Sequence, residues 1–361
     1  MNDMTPLSDQ PNAVEPVNVT AELANKKNKQ KEKRVKKAKK PKKVHPRIDK
    51  LKLRFKPLTS SIRPRMREMR HSLVLIRRSP LALIGLTLVL GIIVIAIFAP
   101  FLAPVPKGQL DPLDIPKNFQ NPMPPGAEGH IFGTGKEGAD IYYGVIWGAR
   151  TSIEISLFVV LTSAFVGIIL GAVSGYYGGK IDDLLMRITD IFLSVPGLIL
   201  AMAVAAVLSR SLENIMLSLI VVWWPPYARL IRGQVLSVRE NTYVEAARAL
   251  GAKKTRILFR HIVPNSLAPM LVNITLDIGG VVLVAAGLSY IGFGPPSGTA
   301  EWGKMVSDGQ EFFLGQVFYH GVAYNPWWMV VFPGAMIFIF VMGFSLFGDA
   351  LRDILDPRLR R

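Results

Sequence analysis

The sequence predicts an all-α integral membrane protein of six transmembrane helices, with both termini in the cytoplasm and a disordered basic tail at the N-terminus. Three observations lead to this fold class. Half of the 361 residues are apolar, apolar stretches approaching the ~20 residues that cross a bilayer recur along the chain, and Lys and Arg concentrate in alternate connections between them. A bundle of spanning helices with basic connections on the cytoplasmic side satisfies all three.

The first element is a basic tail over residues 1–70, predicted to be disordered and cytoplasmic. Residues 1–80 carry 23 Lys and Arg against 7 Asp and Glu, in a chain whose formal net charge is +17. Such a polar segment buries too little apolar surface to offset the entropy of ordering it. Its position before the first span favours a topology signal and attraction to anionic membrane lipids. We expect no nucleic-acid partner, because residues 1–50 contain no Phe, Trp or Tyr on which bases would stack.

Six apolar segments are predicted as membrane spans. The first belongs to the region 71–104, has no charged residue between 81 and 98, and starts too far from the N-terminus to be a cleaved signal peptide. The third can be interrupted at Pro196, and the fourth can continue beyond Pro225 and Pro226 as a helix in the cytoplasm. The predicted spans are 81–102, 153–173, 188–208, 215–227, 267–288 and 327–347.

The charges of the connections orient the bundle. The connection 228–266 carries eight Lys and Arg, and four Arg follow Gly348, which places both on the cytoplasmic side with the basic tail. The short connection 174–187 is also internal, and its Asp182 and Asp183 are expected to be solvated and to pair with basic residues of the same loop. The extracytoplasmic connections are then 105–148, 209–214 and 289–326.

The sequence contains no constellation of catalytic or metal-ligating residues. It has no Cys, and its five His are scattered without metal-ligand spacing. The segment Gly133-Thr-Gly-Lys-Glu-Gly138 matches a dinucleotide-binding pattern letter by letter, but no strand precedes it, and Glu137 stands where a phosphate-binding loop has Ser or Thr. We therefore predict no catalytic residue, no metal site and no cofactor in this chain.

Two polar residues inside the fifth span have more than one interpretation. Asn273 and Asp277 are four residues apart and therefore share one face of a helix. A carboxylate inside a membrane is costly unless it faces a partner group, water or a conduit. The pair is either a pathway-lining or gating pair, or a structural hydrogen-bonding group near a neighbouring span or the interface. Both interpretations stay open at the level of sequence.

Three glycines in the second span predict where it packs. Gly167, Gly171 and Gly175 repeat at a spacing of four residues and so line one face of the helix. Small residues in this arrangement let the backbone of a neighbouring helix approach closely. The pattern predicts a helix–helix contact and not a substrate site.

The connection 228–266 contains a short polar helix between two spans. Thr242 is predicted to cap it, and Glu245 in its first turn is favourable against the helix dipole. Ala246, Ala247 and Ala249 give it a smooth face of small residues, and Gly251 can end it in a left-handed turn. A second, basic helix is predicted over 253–260. A helix held at both ends by membrane spans is suited to presenting a face to a cytoplasmic partner.

These residues resemble the EAA signature of the permease subunits of ATP-binding-cassette (ABC) importers of the dipeptide/oligopeptide type. The signature reads Glu-Ala-Ala, three residues, Gly and then Ile-x-Pro, and here it stands as Glu245-Ala-Ala247, Gly251 and Ile262-Val-Pro264. The likeness continues in order over residues 72–358, for example at Tyr227-Ala-Arg-Leu-Ile-Arg232. It is closest to the second of the two permeases in such systems.

The resemblance implies a multi-pass protein of the cell membrane that forms half of a pore with a homologous second permease subunit, its core lying in 149–361. Two cytoplasmic ATPases would bind ATP and Mg²⁺, so this chain would be no enzyme, and an extracytoplasmic binding protein would deliver peptides. Nickel or oligosaccharide uptake is the alternative cargo, and a secondary transporter is the alternative class. The residues that would couple to the ATPases are Glu245, Ala246, Ala247, Gly251 and Pro264.

Overall fold

A computed structural model describes residues 79–313 and 315–355 of the chain. The predicted basic tail, 1–70, lies outside these ranges. Within them the fold is helical, with one β-hairpin formed by strands β1 (Val317–Tyr319) and β2 (Val322–Tyr324). Two π-helical turns cover Leu258–Ile262 and Ser289–Phe293. The helices are α1 Pro80–Leu102, α2 Ile141–Tyr177, α3 Gly179–Ser194, α4 Gly197–Val207, α5 Leu212–Val238, α6 Thr242–Ala249, α7 Lys254–Ile257, α8 Val263–Ser266, α9 Ala268–Leu288, α10 Trp302–Phe313 and α11 Trp328–Leu355.

Five helices of the described ranges are long and apolar enough to cross a membrane, namely α1, α2, α5, α9 with its π turn, and α11. A sixth span is present if α3 and α4 count as one, but the two are bent by 88° at the break between them. The predicted span over 188–208 is therefore broken, at the interruption that Pro196 made possible. Pro196 lacks the N–H that would continue α3 and disfavours helical backbone at Val195, which is extended at φ −97° and ψ 132°.

Two helices extend well beyond the predicted spans. α2 has 37 residues and starts at Ile141, because the carboxylate of Asp140 caps it by accepting a hydrogen bond from the Tyr143 N–H at 2.9 Å. The polar residues Arg150, Thr151 and Ser152 directly precede the predicted start at 153, although the helix continues through them. α5 continues through Pro225 and Pro226 to Val238, which confirms the predicted continuation of the fourth span as a helix.

The glycine face of α2 packs directly on the backbone of α5. A Cβ atom at Gly171 would clash with the carbonyl oxygen of Ala228, and one at Gly167 would clash with Tyr227. At Gly175 the same atom would lie 2.9 Å from the carbonyl oxygen of Arg232. The predicted packing face is confirmed, and its partner is the helix that leads into the basic cytoplasmic connection.

Helix α11 packs against both α1 and α9. Glycines at these two interfaces allow close approach of the backbones. A Cβ atom at Gly85 of α1 would lie 2.7 Å from the backbone nitrogen of Phe347, and one at Gly348 would lie 2.6 Å from Leu276 of α9. Backbones that approach this closely fix the three helices as one packed unit.

The long connection between α1 and α2 is tied to the bundle by indole hydrogen bonds. Trp147 of α2 donates its Nε1–H to the carbonyl oxygen of Ala103 at 2.9 Å, and Trp328 of α11 donates to that of Thr134 at 3.0 Å. Both indoles are buried, and a buried indole N–H is costly without an acceptor. The connection therefore forms an ordered cap on the helices.

The segment that matches a dinucleotide-binding pattern serves this cap through ion pairs. Lys117 pairs with Glu137 at 2.6 Å and Lys136 with Glu311 at 2.7 Å. The Lys117 ammonium holds the pKa of Glu137 below its usual value, and the Glu311 carboxylate raises the pKa of Lys136. The two charged residues of the pattern are thus engaged by other parts of the cap.

A buried carboxylate begins α10 on the same side of the molecule. Glu301 accepts hydrogen bonds from the N–H of Gly303 at 2.9 Å and of Lys304 at 2.7 Å, two donors that the helix leaves free. Burial raises the pKa of Glu301, and these hydrogen bonds oppose the shift.

Candidate functional site

The short helix of the basic connection, α6, is formed as predicted, but its cap differs. The N-cap residue is Asn241, whose side chain makes no capping hydrogen bond. Its carbonyl oxygen accepts the N–H of Val244 at 2.9 Å and of Glu245 at 3.3 Å. The predicted capping role of Thr242 is therefore wrong, since Thr242 is the first helical residue. Glu245 lies in the first turn as expected.

Gly251 ends α6 in a left-handed turn, as the sequence predicts. Its φ is +76°, its N–H donates to the carbonyl oxygen of Arg248 at 3.0 Å, and the N–H of Ala252 donates to that of Ala247 at 3.1 Å. This pair of bonds is the Schellman pattern of helix ends. A Cβ atom at Gly251 would meet nothing within 4 Å, so the backbone angle and not space requires glycine here.

One side of α6 anchors it to the molecule. Val244 is completely buried, Ala247 is partly buried against the core, and the Tyr243 hydroxyl accepts a hydrogen bond from Asn265 at 3.4 Å. Ala247 therefore belongs to the anchoring side, although the sequence assigned it to the smooth exposed face. The helix is held by its packing and not only by its two ends.

The other side of α6 is exposed and will be called the coupling face. It consists of Glu245, Ala246, Ala249 and Leu250, and Leu250 is 89% exposed. The sequence prediction included Ala249 in the face of small residues but missed Leu250, although its spacing of four from Ala246 places it on the same side of a helix. Leu250 thus adds apolar area to a face that is otherwise formed by a carboxylate and small residues.

The chain returns to the membrane through buried aliphatic residues. The predicted basic helix over 253–260 starts at Lys254 and continues as the π-helical turn Leu258–Ile262. Ile257, Leu258 and Ile262 are at most 1% exposed, so this segment is fastened to the spans. Pro264 is exposed in the first turn of α8, where its missing N–H costs no hydrogen bond.

A charged cluster, here called the Arg232 clamp, joins α5 to α2 and α3. Arg232 donates from Nε and Nη2 to the two carboxylate oxygens of Asp182 at 2.6 and 2.7 Å, and the Ser174 hydroxyl also donates to Asp182. Close by, Arg239 donates from Nη1 to the carbonyl oxygen of Gly175 at 2.8 Å. Bidentate pairs of this kind fix geometry as well as charge.

The prediction that Asp182 pairs with basic residues of its own loop, 174–187, is wrong. Asp182 lies in the first turn of α3 and pairs with a residue 50 positions away, not with the basic residues of its own loop. Gly178 and Gly179 have φ angles of +65° and +54°, and this tight reversal brings α3 back along α5. Sequence reasoning missed the partner, because nothing local in a sequence records a contact between distant helices.

Asp277 and Asn273 share one face of α9, and Asp277 contacts α5. The Tyr227 hydroxyl donates to Oδ2 of Asp277 at 2.6 Å. Tyr227 is 2% exposed, whereas Asp277 and Asn273 are partly exposed. The structural hydrogen bond to a neighbouring span is therefore present, and a role of the two residues in the pathway stays a prediction.

Two protein-family models match the chain. Residues 167–361 match the family described as binding-protein-dependent transport system inner membrane component. Residues 73–125 match the N-terminal TM domain of oligopeptide transport permease C. The first match includes α5, α6 and α9, and the second includes α1.

Several curated proteins are similar over most of their length. The dipeptide transport system permease protein DppC of Alkalihalophilus pseudofirmus is 40% identical over 79% of this chain and 88% of its own. The probable D,D-dipeptide transport system permease protein DdpC of Escherichia coli is 40% identical over 83% of this chain and 96% of its own length. The oligopeptide transport system permease protein OppC of Bacillus subtilis is 38% identical over 79% of this chain and 88% of its own length.

Proposed function

Because the chain belongs to the family of binding-protein-dependent transport system inner membrane components, we propose that it is the permease subunit of an ABC importer whose cargo is di- or oligopeptides. The observation that carries the proposal is α6, a helix anchored on one side through Val244 and exposed on the other along the coupling face. Peptides are favoured over nickel complexes or oligosaccharides by the names of the relatives.

The coupling face is the docking surface for an ATP-hydrolysing subunit. Its alanines let a groove close around the helix, Leu250 supplies apolar area, and Glu245 supplies a polar contact. Gly251 and Pro264 set the turn and the return of the chain to the membrane. ATP and Mg²⁺ bind to the partner, so this chain contributes no catalytic residue.

The remaining partners complete the passage and supply the cargo. A homologous second permease subunit forms the other half of the pathway, and an extracytoplasmic binding protein delivers the peptide. The exposed apolar side chains of α3 and α4, such as Ile191 and Ile199, are suited to contact lipid or that second subunit.

The Arg232 clamp transmits movement from α6 to the spans. α5 has 27 residues, about 40 Å of continuous helix, and ends three residues before α6. A displacement of α6 therefore moves α5 as a rod, and Arg232 carries α3 with it through Asp182. The bend between α3 and α4 converts this displacement into a change of angle inside the membrane, which supports alternating access.

The test is a charge reversal on the coupling face in the reconstituted importer. Glu245→Lys is expected to abolish copurification of the ATPase subunits and ATP-dependent peptide uptake, while membrane insertion stays normal. Glu240→Lys is the matched control, because Glu240 is also exposed but precedes α6. Normal uptake with Glu245→Lys, or equal loss in both variants, would rule out the coupling role.

A further inference from the structure

Asp277 carries its carboxylate deep inside the membrane-spanning part of α9. It is the tenth residue of a helix that begins at Ala268, which places it about 13 Å along the helix axis from the cytoplasmic end. Ionisable residues at this depth are costly and are retained where they meet a partner, water or a transported group. The coupling role of α6 makes no use of this carboxylate.

The group that holds Asp277 in place is neutral. The Tyr227 hydroxyl donates to Oδ2 at 2.6 Å. The ion pairs found within 79–313 and 315–355 all involve other carboxylates. The side chain is thus oriented by α5, while its charge has no cationic partner in this part of the chain.

The exposed fractions of Tyr227, Asp277 and Asn273 indicate which way the Asp277 carboxylate faces. Tyr227 is 2% exposed and lies behind Asp277, which is partly exposed, as is Asn273 one turn nearer the cytoplasmic end. A polar strip of this kind does not face lipid, because hydrocarbon offers a carboxylate neither charge nor hydrogen bonds. It therefore faces a water-filled passage or a neighbouring subunit.

We propose that Asp277 lines the translocation pathway and transiently binds a cationic nitrogen group of the cargo, either the N-terminal ammonium of a peptide or a Lys or Arg side chain. The inference rests on the proposed function and names a contact for its cargo. Tyr227 is a positioning residue that holds the carboxylate toward the passage. Asn273 extends the polar strip and offers hydrogen bonds to the peptide backbone.

The test compares cargo pairs that differ in one positive charge. The full importer is reconstituted in proteoliposomes, and uptake is measured at saturating, fully loaded binding protein, with loading verified on the purified binding protein. One pair is a tripeptide with a central Lys or norleucine, and the other is Ala-Ala-Ala with a free or an acetylated N-terminus. The variants are Asp277→Asn, which removes the charge, Asp277→Glu, which retains it, and Tyr227→Phe.

The expected result is a selective loss of uptake of the charged member of a pair. Asp277→Asn lowers it about tenfold relative to the neutral member, Asp277→Glu keeps the wild-type ratio, and Tyr227→Phe gives an intermediate ratio. If the uptake ratio changes in the Lys/norleucine pair, Asp277 binds cationic side chains. If it changes in the free/acetylated pair, Asp277 binds the N-terminal ammonium group.

Three outcomes would overturn the inference. They are unchanged ratios with Asp277→Asn, an equal loss of uptake for charged and neutral cargo, and loss of the second permease subunit on purification, which would mean that a subunit supplies the cation. None of these outcomes contradicts the proposed function of the chain as a permease subunit. Failure of the wild-type importer to take up any peptide would contradict the proposed function instead.

Discussion

Gly171 and Gly251 are both required to be glycine, but for different physical reasons. Gly171 has no room for a side chain, because the backbone of Ala228 occupies the space that a Cβ atom would need. Gly251 has ample room but a φ of +76°, which L-residues adopt at a cost. The second requirement is local and could be predicted from the stop of a helical pattern. The first required the identity of the opposite helix.

The substitution Gly171→Ala is expected to destabilise the protein by about 1–3 kcal/mol, the usual cost of overpacking. Gly280→Ala is the matched control, since Gly280 also lies within a spanning helix but has nothing within 4 Å of a built Cβ atom, and alanine there favours the helix. Melting temperatures of the purified proteins in detergent measure the difference. Equal melting temperatures would mean that α2 does not pack on α5 through this face.

At the scale of whole elements, α5 connects the membrane to the coupling helix. Arg232 in its last turns and Arg239 directly after its end hold α2 and α3 through their guanidinium groups. The sequence predicts that the helix continues past Pro226, because Arg229 and Arg232 follow it without a breaker. It does not predict the clamp, because the basic residues of that connection look alike until the fold selects their partners.

Loss of the Arg232 clamp is expected to uncouple peptide uptake from ATP hydrolysis. Asp182→Asn removes the charge that holds Arg232, so α5 is expected to move without α3, and peptide uptake falls several-fold while the ATPase subunits stay bound and hydrolyse ATP. Asp183→Asn is the control, because the neighbouring carboxylate is exposed. The ratio of peptide transported to ATP hydrolysed is the measurement. An unchanged ratio in Asp182→Asn would show that the clamp does not transmit movement from α6 to the spans.

The broken span illustrates the limit of composition at this scale. The residues of 188–208 are apolar enough to cross the membrane in a straight helix, and Pro196 marks a possible interruption. Whether such an interruption produces a slight kink or a bend of 88° depends on what packs around it. Here α3 follows α5 from the tight turn at Gly178, and α4 packs on α5 in a different direction.

At the scale of the whole molecule, the charge asymmetry sets the topology. From their charge, the basic residues of 1–80, of 228–266 and of the C-terminal end are predicted to lie on one side of the membrane, as the positive-inside rule requires. The tail itself lies outside the described residues, and its contribution is predicted from charge alone.

Deletion of residues 1–43 is expected to leave peptide uptake largely unchanged at equal amounts of inserted protein. The isolated tail peptide is expected to bind vesicles that contain anionic lipid, and to lose that binding as salt rises, because its attraction is electrostatic and screened. Flotation with neutral vesicles is the control. Complete loss of uptake in a correctly inserted deletion variant would contradict a role limited to topology and lipid contact.

The sequence by itself determined the helical class, the approximate positions of the apolar segments and the end of α6 at Gly251. Each of these depends on hydropathy, charge or a single backbone angle, which neighbouring residues in the chain are sufficient to set. Only the tertiary structure decided which side of α6 is buried, that Asp182 pairs with Arg232, and that Tyr227 holds Asp277. Those facts depend on which distant helices meet, and the close approach of α2 to α5 over Gly167, Gly171 and Gly175 is what brings them together.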